Sequence, residues 1–203
     1  MKILTFTVAI LGLAVEALCA QELRPGAPGI AHSEEFHLGA PVSDFNLRSM
    51  DGRSANYSTL KGKVTAVMFF STRCPMSNAF NYRRNQLYKD LTGRVNFVVV
   101  DSNSNESLEE IREYARAVGF DFPVYQDANN IVADKFGARV TTENFVMDSA
   151  DVMRYRGNME DAPNPARAKH HGLRLAIEEV LDGQPVAMPE TVAFGCAIRR
   201  LQR

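Results

Sequence analysis

The cysteines are the residues of this 203-residue chain whose positions say most about chemistry. Cys74 directly follows an apolar run and precedes Pro75, so we expect it where a strand ends and a helix begins. The unpaired amides and positive dipole at the start of a helix favour a thiolate over a thiol. Arg73 adds positive charge beside it. Cys74 is therefore predicted to be a nucleophile rather than a small core residue.

A second group of signals concerns the N-terminus. Lys2, the apolar run 3–15 and the small-residue end at Ala20 are typical of a secretory signal peptide, residues 1–20. Cleavage after Ala20 removes Cys19 and leaves Cys74 and Cys196 as the cysteines of the mature chain. We therefore expect an exported protein, periplasmic or extracellular, with no membrane contact beyond the signal peptide and an oxidising surrounding in which those two thiols can pair.

Composition narrows the function classes. The 23 basic and 24 acidic residues give a net charge of −1, and no Lys/Arg stripe is present, so nucleic acid is excluded as a main partner. The 45% hydrophobic content excludes both wholesale disorder and a multi-span membrane protein. The cysteines and the four histidines are too scattered for a structural zinc module, and we expect no metal and no cofactor. His170 and His171 are assigned to a solvated helix face.

The elements that must position Cys74 alternate along the chain. Residues 21–37 are a predicted linker, 38–182 a single domain, and 183–203 a tail that carries Cys196. Strands are predicted at 41–47, 64–70, 95–100, 122–125, 144–147 and 152–155, and helices at 75–91, 107–118, 129–136 and 165–182. The early alternation predicts an α/β fold with a parallel half, and the late hairpin adds an antiparallel half.

Several segments resemble the redoxin group, which comprises thioredoxin-like proteins and the alkyl hydroperoxide reductase/thiol-specific antioxidant class. The resemblance is carried by residues 38–47, Asp51-Gly52, Lys61-Gly62-Lys63 before the apolar strand and Cys-Pro, and residues 136–148. The tail around residues 195–200 resembles that of exported bacterial redoxins. The resemblance implies a thioredoxin-like fold, a central mixed sheet flanked by helices. It also implies thiol–disulfide or antioxidant chemistry at Cys74, with a thiol or disulfide protein or a peroxide as partner.

The chain departs from both branches of that group at the site. Thioredoxin-type members carry Cys-x-x-Cys, but Ser77 holds the second position here, and Thr142 stands where they have a cis-proline. Peroxiredoxins have a proline where this chain has Val67 and an arginine where it has Thr142; Ser71 does match their hydroxyl position. Arg73 or Arg139 could supply the charge instead. The residues expected to bind substrate or shape the site are Ser71, Thr72, Arg73, Pro75, Ser77, Arg139 and Thr142.

The role of Cys196 stays open between alternatives. The leading interpretation is an exported thiol oxidoreductase that uses Cys74 as its redox nucleophile. Cys196 could be the thiol that resolves an oxidised Cys74, as the resemblance to two-cysteine peroxidases suggests. A permanent Cys74–Cys196 disulfide could instead pin the tail of a non-catalytic binding domain. An unpaired Cys196, a mixed disulfide with another protein and a metal ligand are the remaining readings.

Overall fold

A computed structural model describes residues 36–202 of the chain. The predicted signal peptide, residues 1–20, and residues 21–35 of the predicted linker lie outside the described residues. Phe36, at the end of that linker, is buried and packs edge-on against Phe136. No helix in residues 36–202 is long and apolar enough to cross a membrane.

Within residues 36–202, seven strands form one mixed sheet, as the sequence predicts for the central layer. In its centre, β4 pairs in parallel with β3 on one side and with β5 on the other. Beyond β3, the sheet continues through β6 and β7, which pair in antiparallel fashion. The spatial order is β2-β1-β5-β4-β3-β6-β7, so β2 and β7 are the edges. The strands are β1 Asn46–Ser49, β2 Ser54–Asn56, β3 Thr65–Phe70, β4 Asn96–Asp101, β5 Val124–Gln126, β6 Asn144–Met147 and β7 Met153–Gly157.

Six α-helices and one 3₁₀ turn accompany the sheet in the described part of the chain. They are α1 Tyr57–Leu60, α2 Pro75–Asn78, α3 Asn81–Leu91, α4 Leu108–Ala117, α5 Ile131–Phe136 and α6 Gly172–Leu181, with the 3₁₀ turn at Pro165–Arg167. The sequence patterns did not indicate β2 or α1, which are only three and four residues long. Short elements of this kind carry too few residues to show a period.

Two predicted helices are corrected by the structure. The helix expected over 75–91 is interrupted between α2 and α3. There the Ser77 carbonyl accepts the Phe80 amide in an i→i+3 bond and also accepts the Arg84 side chain, so the α-helical ladder is broken. The helix expected over 165–182 begins only at Gly172, because Asn164 caps a separate short turn that ends in extended backbone at Ala168.

The core lies on both faces of the sheet. Alternate residues of β3 point to opposite faces: Met68 and Phe70 join one apolar cluster, and Val67 and Phe69 join the other. All six residues of β3 are buried, which confirms the prediction of a strand covered on both sides. Phe70 at the end of β3 pairs with Asp101 at the end of β4. The segments that follow these two strand ends build the candidate site.

Candidate active site

Cys74 stands one short turn beyond β3 and caps the first turn of α2. Pro75 occupies the first helical position, where its missing N–H breaks no helical hydrogen bond. The Ser77 amide donates a hydrogen bond to Cys74 Sγ at 3.4 Å. Because α2 is only four residues long, this direct amide contact, rather than a long helix dipole, is the local feature that favours negative charge on the sulfur.

The structure joins Cys74 to Cys196 by a disulfide across 122 positions of sequence. Their Cα atoms lie 5.9 Å apart, inside the range in which a disulfide forms without moving the backbone. The Cys196 amide also points at Cys74 Sγ, at 3.3 Å. Cys74 is 2% exposed, whereas Cys196 is half-buried. Two amides therefore converge on the sulfur of the more buried cysteine.

The tail reaches this position by pairing its backbone with the loop before β6. The Thr141 amide donates to the Cys196 carbonyl at 3.0 Å, and the Ile198 amide donates to the Arg139 carbonyl at 3.0 Å. The Thr142 hydroxyl donates to the Phe194 carbonyl. Thr142 and Arg139 thus contribute to docking the tail beside Cys74. The exposed Arg139 side chain itself is not part of that pairing.

Apolar side chains anchor the tail on both sides of Cys196. Phe194 packs against Phe80 in the cluster on one face of the sheet, with ring centroids 6.1 Å apart. Ile198 is buried in the cluster on the other face. The tail therefore crosses the end of the sheet and brings Cys196 over Cys74 as it passes from one face to the other.

Polar groups that the sequence analysis missed fix both ends of the tail. Beyond Cys196, the Arg199 amide donates to Asn103 Oδ1 at 3.0 Å, and the Leu201 amide donates to Asn130 Oδ1 at 2.8 Å. Before Cys196, the Thr191 amide donates to the Arg156 carbonyl on the edge strand β7 at 3.1 Å. A turn asparagine gives no sequence signal for such a role, since its partner is distant in the chain.

A buried carboxylate, Glu106, holds the turn that leads to Cys74. It is 3% exposed and accepts hydrogen bonds from the hydroxyls of Ser71 and Thr72 and from the Thr72 amide at 2.7 Å. Asp101 lies beside it, and burial together with the hydrogen bond to Glu106 raises the pKa of Asp101 well above its ordinary value. Ser71 and Thr72 thus shape the turn through Glu106, a residue that the sequence patterns did not single out.

Ser77 joins the same turn to α3. Its hydroxyl accepts the Ser71 amide at 3.1 Å and Arg84 Nη2 at 3.3 Å, and its carbonyl accepts Arg84 Nη1 at 2.7 Å. Arg84 is 2% exposed. Burial lowers the pKa of its guanidinium to about 10, which leaves it charged at neutral pH. The serine that replaces the second thioredoxin cysteine therefore links the turn before Cys74 to Arg84 on α3 by hydrogen bonds.

The sequence predicts that the positive charge of Arg73 acts on Cys74, but the structure pairs Arg73 with an acidic side chain. Its guanidinium forms an ion pair with Glu110 on α4, and both side chains are about half exposed. The hydrogen bond from the Ser107 amide, followed by this pairing with Arg73, lowers the pKa of Glu110 to about 2. A salt bridge in solvent neutralises much of the field that Arg73 alone would produce.

His170 and His171 are both exposed, as expected, although they lie just before α6 and not within it. His171 Nδ1 also lies 3.0 Å from a Glu160 oxygen. Among residues 36–202, no group of three or more His, Cys, Asp or Glu side chains is arranged to hold a metal ion.

A mixed sheet with a cysteine at the start of the helix after β3, paired to a second cysteine, defines a thioredoxin-like fold. A family model described as the AhpC/TSA family matches residues 38–156. The chain therefore belongs to the AhpC/TSA family, which supports a thiol oxidoreductase in general.

Individual relatives agree with this assignment. Thiol-disulfide oxidoreductase ResA of Bacillus subtilis (strain 168) is 26% identical over 138 residues, which cover 68% of this chain and 76% of that protein. An uncharacterized conserved protein from Geobacillus kaustophilus superposes with a TM-score of 0.76 at 26% identity, covering 83% of this chain and 94% of the other. A hypothetical protein from Sinorhizobium meliloti 1021 gives 0.73 at 28% identity, covering 84% and 98%.

Proposed function

We propose that this protein is an exported thiol–disulfide oxidoreductase in which Cys74 and Cys196 form a reversible redox pair. The observation that carries the proposal is the Cys74 sulfur itself, which is bonded to Cys196 and faced by the amides of Ser77 and Cys196. In this arrangement the tail supplies the second thiol that Ser77 cannot provide.

The amides on Cys74 Sγ favour a reversible pair over a permanent bridge. A sulfur in a lasting disulfide carries no charge and gains little from two N–H groups directed at it. A thiolate gains much more, since hydrogen bonds to the charged form of a group stabilise that form. The site is therefore organised for the state in which the Cys74–Cys196 bond is broken.

The exchange reaction follows from the difference in access between the two sulfurs. A partner thiolate attacks Cys196 Sγ, the less buried of the two, and forms a mixed disulfide with it. The electron pair of the broken S–S bond leaves on Cys74 Sγ, which becomes a thiolate. A second partner thiolate then attacks the partner sulfur of the mixed disulfide and releases Cys196 as a thiolate. The partner is oxidised to a disulfide, and this protein is reduced by two electrons.

A dithiol or disulfide protein suits this site better than a peroxide. The groups that the family resemblance connects with peroxide are engaged elsewhere: the Ser71 hydroxyl donates to Glu106, and the Arg73 guanidinium pairs with Glu110. Thr142 holds the position of the peroxiredoxin arginine and donates to the tail. The name of the ResA relative describes thiol–disulfide exchange for that protein, and this supports the same choice here.

The deciding experiment is a thiol count linked to disulfide mapping. The purified protein is reduced with a mild thiol and freed of it. It is then mixed with one equivalent of either a disulfide-bonded peptide or hydrogen peroxide. We expect fast loss of two thiols with the peptide, much slower loss with peroxide, and a Cys74–Cys196 linkage within one chain. Resistance of the starting disulfide to mild thiols would instead indicate a structural bridge.

Two single variants serve as matched controls. Cys74→Ser is expected to keep the accessible Cys196 and to stop at a mixed disulfide with the peptide, because no second thiol is present to resolve it. Cys196→Ser is expected to lose fast exchange, because the remaining Cys74 is only 2% exposed. If the parent consumes peroxide rapidly and Cys196→Ser cannot do so repeatedly, the function is that of a two-cysteine peroxidase and not thiol–disulfide exchange.

Export rests on the sequence of residues 1–20 and is part of the proposal. The apolar run 3–15 and the small-residue end at Ala20 support a mature chain that begins near Gln21. An oxidising compartment would also suit a disulfide between the two cysteines that remain. Mass spectrometry of the protein from its native host tests this: soluble protein that retains residues 1–20 would contradict export.

A further inference from the structure

Arg84 is a buried cation whose hydrogen-bond partners are all neutral. Its guanidinium donates to the carbonyl and hydroxyl oxygens of Ser77 and to Asn81 Oδ1 at 3.1 Å. Its Nε has no hydrogen-bond partner, and within residues 36–202 no carboxylate forms an ion pair with it. By contrast, the adjacent Arg83 forms an ion pair with Glu160 and lies over the Phe80 ring.

Such an arrangement is costly unless the charge has a use. Removing a guanidinium from water carries a large desolvation penalty, which proteins normally offset with a buried carboxylate. The carbonyl and hydroxyl of Ser77 could be satisfied by a neutral donor of similar length. Nothing that Arg84 touches therefore requires a full positive charge in the oxidised protein.

A negative charge does form nearby when the disulfide is reduced. The Ser77 residue that Arg84 grips by its carbonyl and hydroxyl is the one whose amide faces Cys74 Sγ. Ser77 thus contacts both the guanidinium and the sulfur that leaves as a thiolate. The burial of Cys74 and Arg84 keeps water from screening the interaction.

We propose that Arg84 is a positioning residue for Cys74, which holds the Ser77 amide on Sγ and supplies the buried positive charge that stabilises the Cys74 thiolate. This role rests on the proposed redox function, since it acts on the sulfur that leaves during exchange. A thiol of lower pKa is a better leaving group, so Arg84 speeds the attack of a partner thiolate on Cys196.

The other charged groups around the turn do not fill this role. Glu106 is an acid that faces Ser71 and Thr72, and its neighbour Asp101 is also an acid, so neither supplies positive charge to a thiolate. Arg73 is paired with Glu110 in solvent. From α4, Tyr114 accepts a hydrogen bond from Asn81, and burial raises its pKa, which keeps the phenol neutral at physiological pH. From the tail, Arg199 is exposed and contributes backbone contacts.

The test measures the acidity of Cys74 by its alkylation rate as a function of pH, in Cys196→Ser protein so that only one mature thiol reacts. Arg84→Gln keeps a donor for Ser77 but removes the charge, and Arg84→Lys keeps the charge. Lys89→Met is the matched control, because it removes a positive charge from the exposed side of the same helix. Urea unfolding of each variant records the structural effect separately.

We expect Arg84→Gln to raise the pH midpoint of Cys74 alkylation by about one unit. A nearby unit charge at an effective dielectric constant of about 20 has an effect of this order. We expect Arg84→Lys and Lys89→Met to stay within about 0.3 units of the parent. An unchanged midpoint in Arg84→Gln, with stability lowered, would overturn the proposal and leave Arg84 structural.

Failure of the two proposals can be told apart. If the parent protein exchanges rapidly with the disulfide peptide and Arg84→Gln does so equally well, only the role of Arg84 fails. If the parent itself does not exchange, the redox function fails first. Should Arg84→Gln not fold, Arg84→Lys still decides, since a rise of one full unit with the charge retained would contradict the electrostatic role.

Discussion

The two halves of the disulfide are held by different kinds of structure. Cys74 follows β3, a strand that is buried along its whole length, and is itself buried. Ser77 and the turn held by Glu106 fix it to the surrounding elements. Cys196 lies in a segment outside the helices and strands, held by backbone hydrogen bonds, two apolar anchors and the disulfide itself. The first half is part of the core, and the second is attached to it.

This difference assigns separate tasks to the two cysteines. A sulfur fixed by the core can be surrounded by groups that stabilise its charge, because those groups keep their positions when the bond breaks. A sulfur on the attached segment is easier for a partner to reach, because Cys196 is only half-buried. Changes to the two halves should therefore differ in size, and loss of the bond that joins them should have the largest effect.

The largest effect concerns the bond that joins the halves. Closing a loop across 122 positions is expected to add about 5 kcal/mol to the free energy of unfolding in the chain-entropy description. Urea unfolding with and without reductant should show a loss of that order in the parent. Cys196→Ser should be insensitive to reductant. An equal response of both proteins would show that the bond is not formed in solution.

The second effect concerns the contact between Thr191 of the tail and the edge strand β7. Gly157 has φ +154°, and a Cβ there would lie 2.0 Å from Thr191 Oγ1 and 2.7 Å from the Thr191 carbonyl oxygen. Gly157→Ala should therefore lower the free energy of unfolding by about 2–3 kcal/mol and slow reformation of the disulfide in reduced protein. Gly93→Ala, at φ +81° with open space around it, is the matched control. Equal reoxidation rates in the two variants would show that disulfide formation does not depend on docking of the tail on β7.

The third effect concerns the buried acids behind Cys74. The pKa of Asp101 is raised, chiefly by burial and then by Glu106, so the folded protein binds a proton more tightly than the unfolded chain. Its contribution to stability is complete below about pH 3.8 and is lost as pH rises through the folded pKa.

Asp101→Asn mimics the protonated acid and should lack that loss. Relative to the parent it should gain stability between acid and neutral pH, measured by urea unfolding at several pH values. Asp182→Asn, an exposed control, should follow the parent. If the free energy of unfolding of the parent changes with pH in the same way as that of Asp101→Asn, the pKa of Asp101 is not raised.

The smallest effect is expected from the exposed arginine next to Cys74. Arg73→Gln removes a solvent-exposed ion pair, so the free energy of unfolding should change by less than about 0.5 kcal/mol. The Cys74 midpoint in Cys196→Ser protein should move by less than about 0.3 pH units. A shift larger than that of Arg84→Gln would reverse the assignment of the two arginines.

Local sequence determined most of the sheet and the place of Cys74. The apolar run before Cys-Pro predicted β3, the Asp148–Asp151 turn predicted the β6–β7 hairpin, and the Ser107/Glu110 spacing matches the capping box that starts α4. These signals are readable because each depends on neighbours within a few residues. The family resemblance added the thioredoxin-like fold, which no single period specifies.

Tertiary structure alone decided how the site is assembled. The sequence left Cys196 with several roles and named Arg73 as the nearby charge. The folded chain brings Cys196 to Cys74, pairs Arg73 with Glu110, and places Glu106 and Arg84 under the turn. Each of these contacts joins residues that are seven to 122 positions apart. Side-chain type does not encode such partners, because the partner is selected by which strand ends and loops the fold brings together.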